Sequence, residues 1–144
     1  MGGQTLNPYG RRLFDIGGSS AGSGAAVAAN YAAATLGTET PGSILSPAST
    51  HALVGLKPIV GLLSRSGIVP VSSTYDTPGP MTRNVVDASI LLSAMKGEDP
   101  SDMSTKGNSM ASEPVALLSK SSFKGLRFGL TSSFFLTDFT KLQY

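Results

Sequence analysis

Gly17-Gly18-Ser19-Ser20-Ala21-Gly22-Ser23-Gly24 runs directly into Ala25-Ala26-Val27-Ala28-Ala29-Asn30-Tyr31-Ala32-Ala33-Ala34, and the reading of the fold turns on this stretch. Its Gly/Ser-rich beginning predicts a loop. From about Ala21 to Ala34 strong helix formers dominate and predict a helix. Small side chains all round such a helix let other backbone approach closely, so it is expected to lie buried against a sheet. Thr35 to Thr40 then reads as a short strand entering a turn at Pro41-Gly42. Ser43 opens a second predicted helix to about Ala52, with Pro47 near the first turn, where proline is tolerated. Helices alternating with strands predict an α/β fold with a mixed β-sheet covered by helices.

Working outward, Gly55 to Pro80 is punctuated by Gly and Pro, with β-branched runs at Ile59-Val60 and Ile68–Val71 that predict short strands and turns. Helical spacing of Val85, Val86, Ala88, Ile90, Leu91, Leu92 and Met95 predicts a helix over 84–95, capped by Asn84 or Thr82 and ended by Gly97. Residues 98–122 are polar without periodicity and predict a surface loop. A further core strand is expected over about 125–131. No internal repeat is present.

The chain has 144 residues, 40% of them hydrophobic and only 14% charged, with 17 Gly, 9 Pro and no Cys. Such a length suits one ordinary domain, but the charged fraction is well below the roughly 25% usual for soluble domains. The surface is therefore short of solubilising charge, as if part of it were covered by more protein. A net charge of +2 without a Lys/Arg run argues against a nucleic-acid partner. No apolar stretch reaches the roughly 18 residues of a membrane span, and Met1-Gly2-Gly3-Gln4 does not begin a signal peptide. Without Cys there is neither disulfide nor thiolate chemistry. The expected location is cytoplasmic.

A nucleophilic hydroxyl needs a proton acceptor within reach and N–H donors aimed at the developing oxyanion. Ser43, after a Gly turn at a helix start, sits where free backbone N–H groups converge. It suits that role, and it equally suits the ordinary role of helix N-cap. Gly18-Ser19-Ser20-Ala21-Gly22 fits the G-x-S-x-G nucleophile elbow with Ser20 as nucleophile, but the preceding Arg11–Ile16 makes a poor buried strand. Gly22-x-Gly24 lacks the third glycine of a dinucleotide fingerprint, since position 27 is Val, and no P-loop motif occurs. The single histidine, His51, reads as a local hydrogen-bonding residue rather than a base. No metal site and no cofactor are expected, because no second His, no Cys and no carboxylate cluster has ligand spacing. Lysine remains as an activator, and Lys57 is the only one before position 96, with nothing local to keep it neutral.

At these residues the chain resembles the amidase signature family of Ser–cis-Ser–Lys amide hydrolases. The resemblance is carried by Gly17–Ser23, Gly37-Thr38-Glu39-Thr40-Pro41-Gly42-Ser43-Ile44, Gly55-Leu56-Lys57-Pro58, Ser64-Arg65-x-Gly67-Ile68-Val69-Pro70, Asp76–Arg83 and Val86-Asp87-Ala88, with Asn7-Pro8-Tyr9 leading in. It covers about residues 2–97. The Gly-Thr-Glu-Thr variant and Ser46-Pro47 look more like the peptide-amidase and general amidase branch than the subunit serving tRNA-dependent amidation. The resemblance implies that Ser43 is the acyl-accepting nucleophile and Ser19 the bridging serine after a cis Gly18–Ser19 peptide. It also implies that the backbone of Thr40, Gly42 and Ser43 forms the oxyanion hole, and that a small-molecule or peptide amide is the substrate.

Two departures stand out. The family's catalytic lysine lies upstream of the bridging serine, in a strand for which these 144 residues have no counterpart, and Arg11 and Arg12 cannot replace it because guanidinium stays protonated. Position 41 is Pro, which has no N–H to offer an oxyanion. Position 45, often Arg in the family, is Leu. The expectation is a partial amidase domain, inactive or weakly active by itself, whose partner is the missing remainder of the domain. The rival expectation is a non-catalytic remnant or interaction module derived from an amidase, and a nucleotide-binding use of the 17–24 loop is the remotest.

Overall fold

The computed structural model describes residues 3–108, 114–118, 122 and 124–128. Its elements are α1 (Ala21–Ala28), β1 (Thr35–Glu39), α2 (Leu45–Thr50), β2 (Val54–Gly55), β3 (Thr77–Thr82), α3 (Val85–Met95), a 3₁₀ turn at Met103–Thr105 and α4 (Pro114–Leu118). The strands form one sheet in the order β1-β3-β2, and α1, α2 and α3 pack against it. The arrangement is α/β, and both strand pairings among the described residues are antiparallel.

The central strand, β3, has the sequence Thr77-Pro78-Gly79-Pro80-Met81-Thr82, which would ordinarily read as a turn. Register resolves the conflict. Thr77, Gly79 and Met81 stand opposite Glu39, Gly37 and Thr35, while Pro78 and Pro80 stand opposite Thr38 and Leu36. The peptide groups of Leu36 and Thr38 turn away from β3: Ser23 Oγ donates to the Leu36 carbonyl at 2.7 Å, and Thr38 N–H donates to Ser20 Oγ at 3.1 Å. The prolines therefore fall where β1 needs no donor. On the other side only Met81 and Thr82 face β2, and the Pro80 carbonyl accepts from Leu56 N–H at 3.1 Å.

One residue locks the sheet to α2. Ile44 is fully buried against Gly37, Gly55 and Gly79, one glycine on each strand. A Cβ on Gly37 would lie 2.9 Å from Ile44 Cγ1, and one on Gly55 would lie 3.0 Å from Ile44 Cγ2. Ala48 and Met81 complete this core, and a second core unites Leu62, Leu63 and Leu92.

Several expectations are adjusted. The Ala-rich helix stops at Ala28 rather than Ala34. Asn30 takes a φ of 61°, Asn30 N–H bonds the Val27 carbonyl and Tyr31 N–H bonds the Ala26 carbonyl. This is a Schellman ending, which overrides alanine propensity. Arg83 seals it through Asn30 Oδ1 and the Ala32 carbonyl. The second helix is trimmed to Leu45–Thr50. Ile59-Val60 and Ile68–Val71 form no strand; only isolated bridges join Val60 to Leu63 and Leu63 to Lys96, because left-handed Gly61 and Gly67 and the prolines 58 and 70 break the run. Asn84 caps α3 as expected, accepting from Asp87 N–H at 2.9 Å.

The polar stretch after Gly97 is more ordered than its composition suggests. Asp99 accepts from Ser64 Oγ, Asp102 accepts from the Arg65 backbone and guanidinium, and α4 packs on α3. Residues 124–128 carry no strand, and the rest of the strand expected over 125–131 lies outside the described residues.

Candidate active site

Ser19 ends the glycine loop just before α1, and Ser43 lies in the turn between β1 and α2. Both line one cavity of about 150 Å³. The two segments are joined directly, since Ser20 N–H donates to the Ser43 carbonyl at 3.1 Å. The Gly18–Ser19 peptide is cis. Gly17, with φ 61°, lets the loop pass against the Ser46-Pro47 backbone, where a Cβ would come within 2.8 Å.

The capping role open to Ser43 is filled by another residue. Glu39 is buried at the end of β1, and its Oε2 accepts from Ile44 N–H at 2.7 Å and Leu45 N–H at 2.9 Å. Ser46 N–H bonds the Gly42 carbonyl. Among the described residues, the hydroxyls of Ser19 and Ser43 have no hydrogen-bond partner, and neither do the N–H groups of Thr40, Gly42 and Ser43. Gly42 adopts φ 92°, a conformation that favours glycine. Pro41, beside it, contributes no donor.

A second carboxylate braces the turn from the opposite wall. Asp76 accepts from Thr40 Oγ1 at 2.5 Å, Val71 N–H at 2.6 Å and Ser72 N–H at 2.7 Å. The Thr40 hydroxyl is the chief reason its carboxyl is held below the ordinary carboxylate range. Asp76 thereby joins the Thr40 turn to the apolar segment 68–72. Arg65 anchors the far end of that segment: its Nε is 3.2 Å from Asp102 Oδ2, and its Nη1 donates to the Ser73 carbonyl at 2.5 Å. The guanidinium is the leading cause of a strongly lowered Asp102 pKa.

The remaining candidates lie elsewhere. Ser20 Oγ is engaged with the Thr38 backbone, which speaks against the elbow reading. His51 is fully buried outside the cavity, with Nδ1 2.8 Å from the Pro47 carbonyl. Arg11 and Arg12 are exposed, Lys57 does not line the cavity, and no lysine does among the described residues. No group of three His, Asp or Glu side chains among them is placed to hold a metal ion. Sequence reasoning missed Glu39, Asp76 and Arg65 as framework. The visible signal was that all three lie inside the motif runs without an assigned task.

The chain belongs to the amidase family, whose model matches residues 1–141. It is 49% identical over 120 residues to a glutamyl-tRNA(Gln) amidotransferase subunit from Geobacter sp. strain M21, covering 83% of this chain and 24% of that protein. It superposes on the native peptide amidase of Stenotrophomonas maltophilia with a TM-score of 0.76 and 49% identity, over 81% of this chain and 24% of that one. An amidase family protein from Bacillus anthracis gives a TM-score of 0.70 and 52% identity, over 72% of this chain and 21% of that one. The chain thus spans about a quarter of the length of these relatives. Identity to the peptide amidase and to the tRNA-amidation protein is the same 49%. No described helix is long and apolar enough to cross a membrane.

Proposed function

We propose that these residues supply the nucleophile, the bridging serine and the oxyanion donors of an amidase that hydrolyses a carboxamide through a serine acyl-enzyme. The supporting observation is the convergence of Ser19 and Ser43 on one cavity, both hydroxyls unbonded, beside the free N–H groups of the 40–43 turn. In the proposed reaction Ser43 Oγ attacks the carboxamide carbon and gives its proton to Ser19 Oγ, which passes its own to a neutral lysine. The oxyanion is received by N–H groups of Thr40, Gly42 and Ser43. Collapse breaks the C–N bond, the relay returns a proton to the departing amine, and water then releases the acid.

No lysine among the described residues lines the cavity, and the relay is incomplete until one is supplied. A fluorophosphonate probe is expected to leave the 144-residue chain unlabelled. Labelling abolished by Ser43→Ala would overturn the requirement for a lysine. The amidase reading is tested by a chimera in which this chain replaces the matching quarter of the S. maltophilia peptide amidase. Hydrolysis of a peptide amide should appear and be lost on Ser43→Ala or Ser19→Ala. Restoring an N–H with Pro41→Gly should raise the rate by up to about 10²–10³, the usual value of one oxyanion donor. A folded chimera whose residual hydrolysis ignores Ser43 would refute the proposal.

A further inference from the structure

The 40–43 turn carries the oxyanion donors proposed above, and its residues are held unequally. At its start Glu39 stands opposite Thr77 in the β1–β3 ladder, and at its end Ile44 sits in the glycine slot. Between them the Gly42 carbonyl accepts from Ser46 N–H at 2.7 Å, and the Ser43 carbonyl accepts from Ser20 N–H at 3.1 Å. Among the described residues a single hydrogen bond holds residues 40 and 41: the Thr40 hydroxyl donates to Asp76 Oδ1 at 2.5 Å. Asp76 is a fixed point for that bond. It is buried, directly precedes β3, and its Oδ2 accepts from Val71 N–H at 2.6 Å and Ser72 N–H at 2.7 Å. One carboxylate oxygen is thus committed to the 71–72 backbone and the other to Thr40. Led by the Thr40 hydroxyl, these donors hold the Asp76 carboxyl below the ordinary range, which makes it a poor proton acceptor but a strong hydrogen-bond acceptor.

Thr40 converts that bond into a backbone direction. Its side chain is β-branched and stiff about χ1, so tying the hydroxyl ties Cβ. Pro41 behind it pushes Thr40 toward extended backbone. With Glu39 fixed in the ladder on one side and these two restraints on the other, the Thr40 N–H has little freedom to swing, and it has no partner among the described residues. We infer that the Thr40 hydroxyl, through Asp76, makes Thr40 a positioning residue for hydrolysis: its side chain aims its own N–H at the oxyanion without touching the substrate. The inference rests on the amidase reading proposed above. Pro41 adds to its weight, because with no donor at position 41 a misdirected Thr40 leaves only Gly42 and Ser43 to receive the charge.

The test is steady-state kinetics of the S. maltophilia chimera on a peptide amide. An N–H aimed at the oxyanion acts on the transition state rather than on bound substrate, so misdirecting it lowers kcat and spares KM. Thr40→Val keeps the side-chain shape and removes the hydroxyl. It should lower kcat by about tenfold or more, within the roughly 10²–10³ of a whole oxyanion donor, while KM changes by less than about threefold. Thr40→Ser restores a hydroxyl and should recover most of the rate. Asp76→Asn keeps an oxygen for Val71 and Ser72 but weakens the acceptor for Thr40, and should lower kcat in the same way. The double variant should be no slower than the slower single one, because the hydroxyl and the carboxylate act as one unit. Thr40→Ala, at this half-buried position, is a second hydroxyl-free variant should the valine chain not fold. An unchanged kcat without the hydroxyl, a loss carried by KM, a serine variant as slow as the valine one, or additive losses in the double variant would overturn the inference while the amidase reading stands. A parent chimera without Ser43-dependent hydrolysis overturns both.

Discussion

Truncating Ile44 gives the most direct measure of how Ser43 is held. The side chain is fully buried, and the slot around it is backbone at Gly37, Gly55 and Gly79. Ile44→Ala deletes three carbons, worth about 2.4 kcal/mol at roughly 0.8 kcal/mol per buried methylene. Three strands tied by ladder hydrogen bonds cannot collapse into the gap, so a residual cavity adds about 1–2 kcal/mol. The total of roughly 4 kcal/mol lies in the upper part of the usual range and is a large share of the 5–15 kcal/mol that stabilises most domains. Ile44→Val, losing one carbon, should cost about 1 kcal/mol and keep the chain folded. Urea unfolding checks both, with the midpoint moving and the slope unchanged. If Ile44→Ala costs less than about 1.5 kcal/mol, or no more than Ile44→Val, the glycine slot does not anchor the turn and the account of Ser43 positioning fails.

Glu39→Gln keeps the shape of the cap but removes its charge; since hydrogen bonds to charged groups contribute about 1.5–3 kcal/mol, a loss of roughly 1–2 kcal/mol is expected in the same urea assay. Ser20→Ala should cost about 1 kcal/mol by leaving the Thr38 peptide groups unpaired, yet leave Ser43-dependent hydrolysis in the chimera detectable, which the elbow reading would forbid. The Asp76, Asp99 and Asp102 carboxyls are all lowered by hydrogen bonds from Thr40, Ser64 and Arg65 respectively. Groups lowered in the folded state stabilise it above the unfolded carboxylate value of about 3.9, and that contribution is lost as pH falls through the lowered values, so the melting temperature should drop from about pH 4 downward and Asp102→Asn should flatten the drop.

Elements with a local cause could be read from the sequence. Apolar residues at helical spacing behind a capping Asn84 or Thr82 announced α3, and the strand expected over 35–40, observed as Thr35–Glu39, followed from its place between an Ala-rich run and Pro41-Gly42. Elements fixed by pairing could not be read this way. Thr77-Pro78-Gly79-Pro80 becomes the central strand only because β1 directs its alternate peptide groups to Ser20 and Ser23, a partnership 13 to 18 residues apart. Nor could local reading foresee that Asp99 and Asp102 would grip Ser64 and Arg65 across a separation of 35 and 37 residues, because polar composition alone looks like an unstructured loop. The two serines were legible through motif resemblance. The side chains that hold them in place were not, because their effect depends on distance in space.

The division of labour in the 39–46 turn explains why a serine at a helix start is not simply a cap. A short helix leaves its first N–H groups without intrahelical partners, and a serine in front of it ordinarily satisfies one of them with its own oxygen. Such a serine is held in place by the donor it has accepted. Here Glu39 reaches forward from β1 and takes the Ile44 and Leu45 donors, and the Gly42 carbonyl takes Ser46. The donors nearest the core are thereby satisfied by a buried carboxylate, whereas those of Thr40, Gly42 and Ser43 keep no partner among the described residues. Ser43 Oγ is released from capping by the same arrangement. The buried carboxyl group of Glu39 is satisfied by the N–H groups it accepts from, so helix capping and the release of Ser43 Oγ are two results of one interaction. Pro41 removes one donor from that set without disturbing the cap, because neither of the N–H groups that Glu39 binds belongs to residue 41.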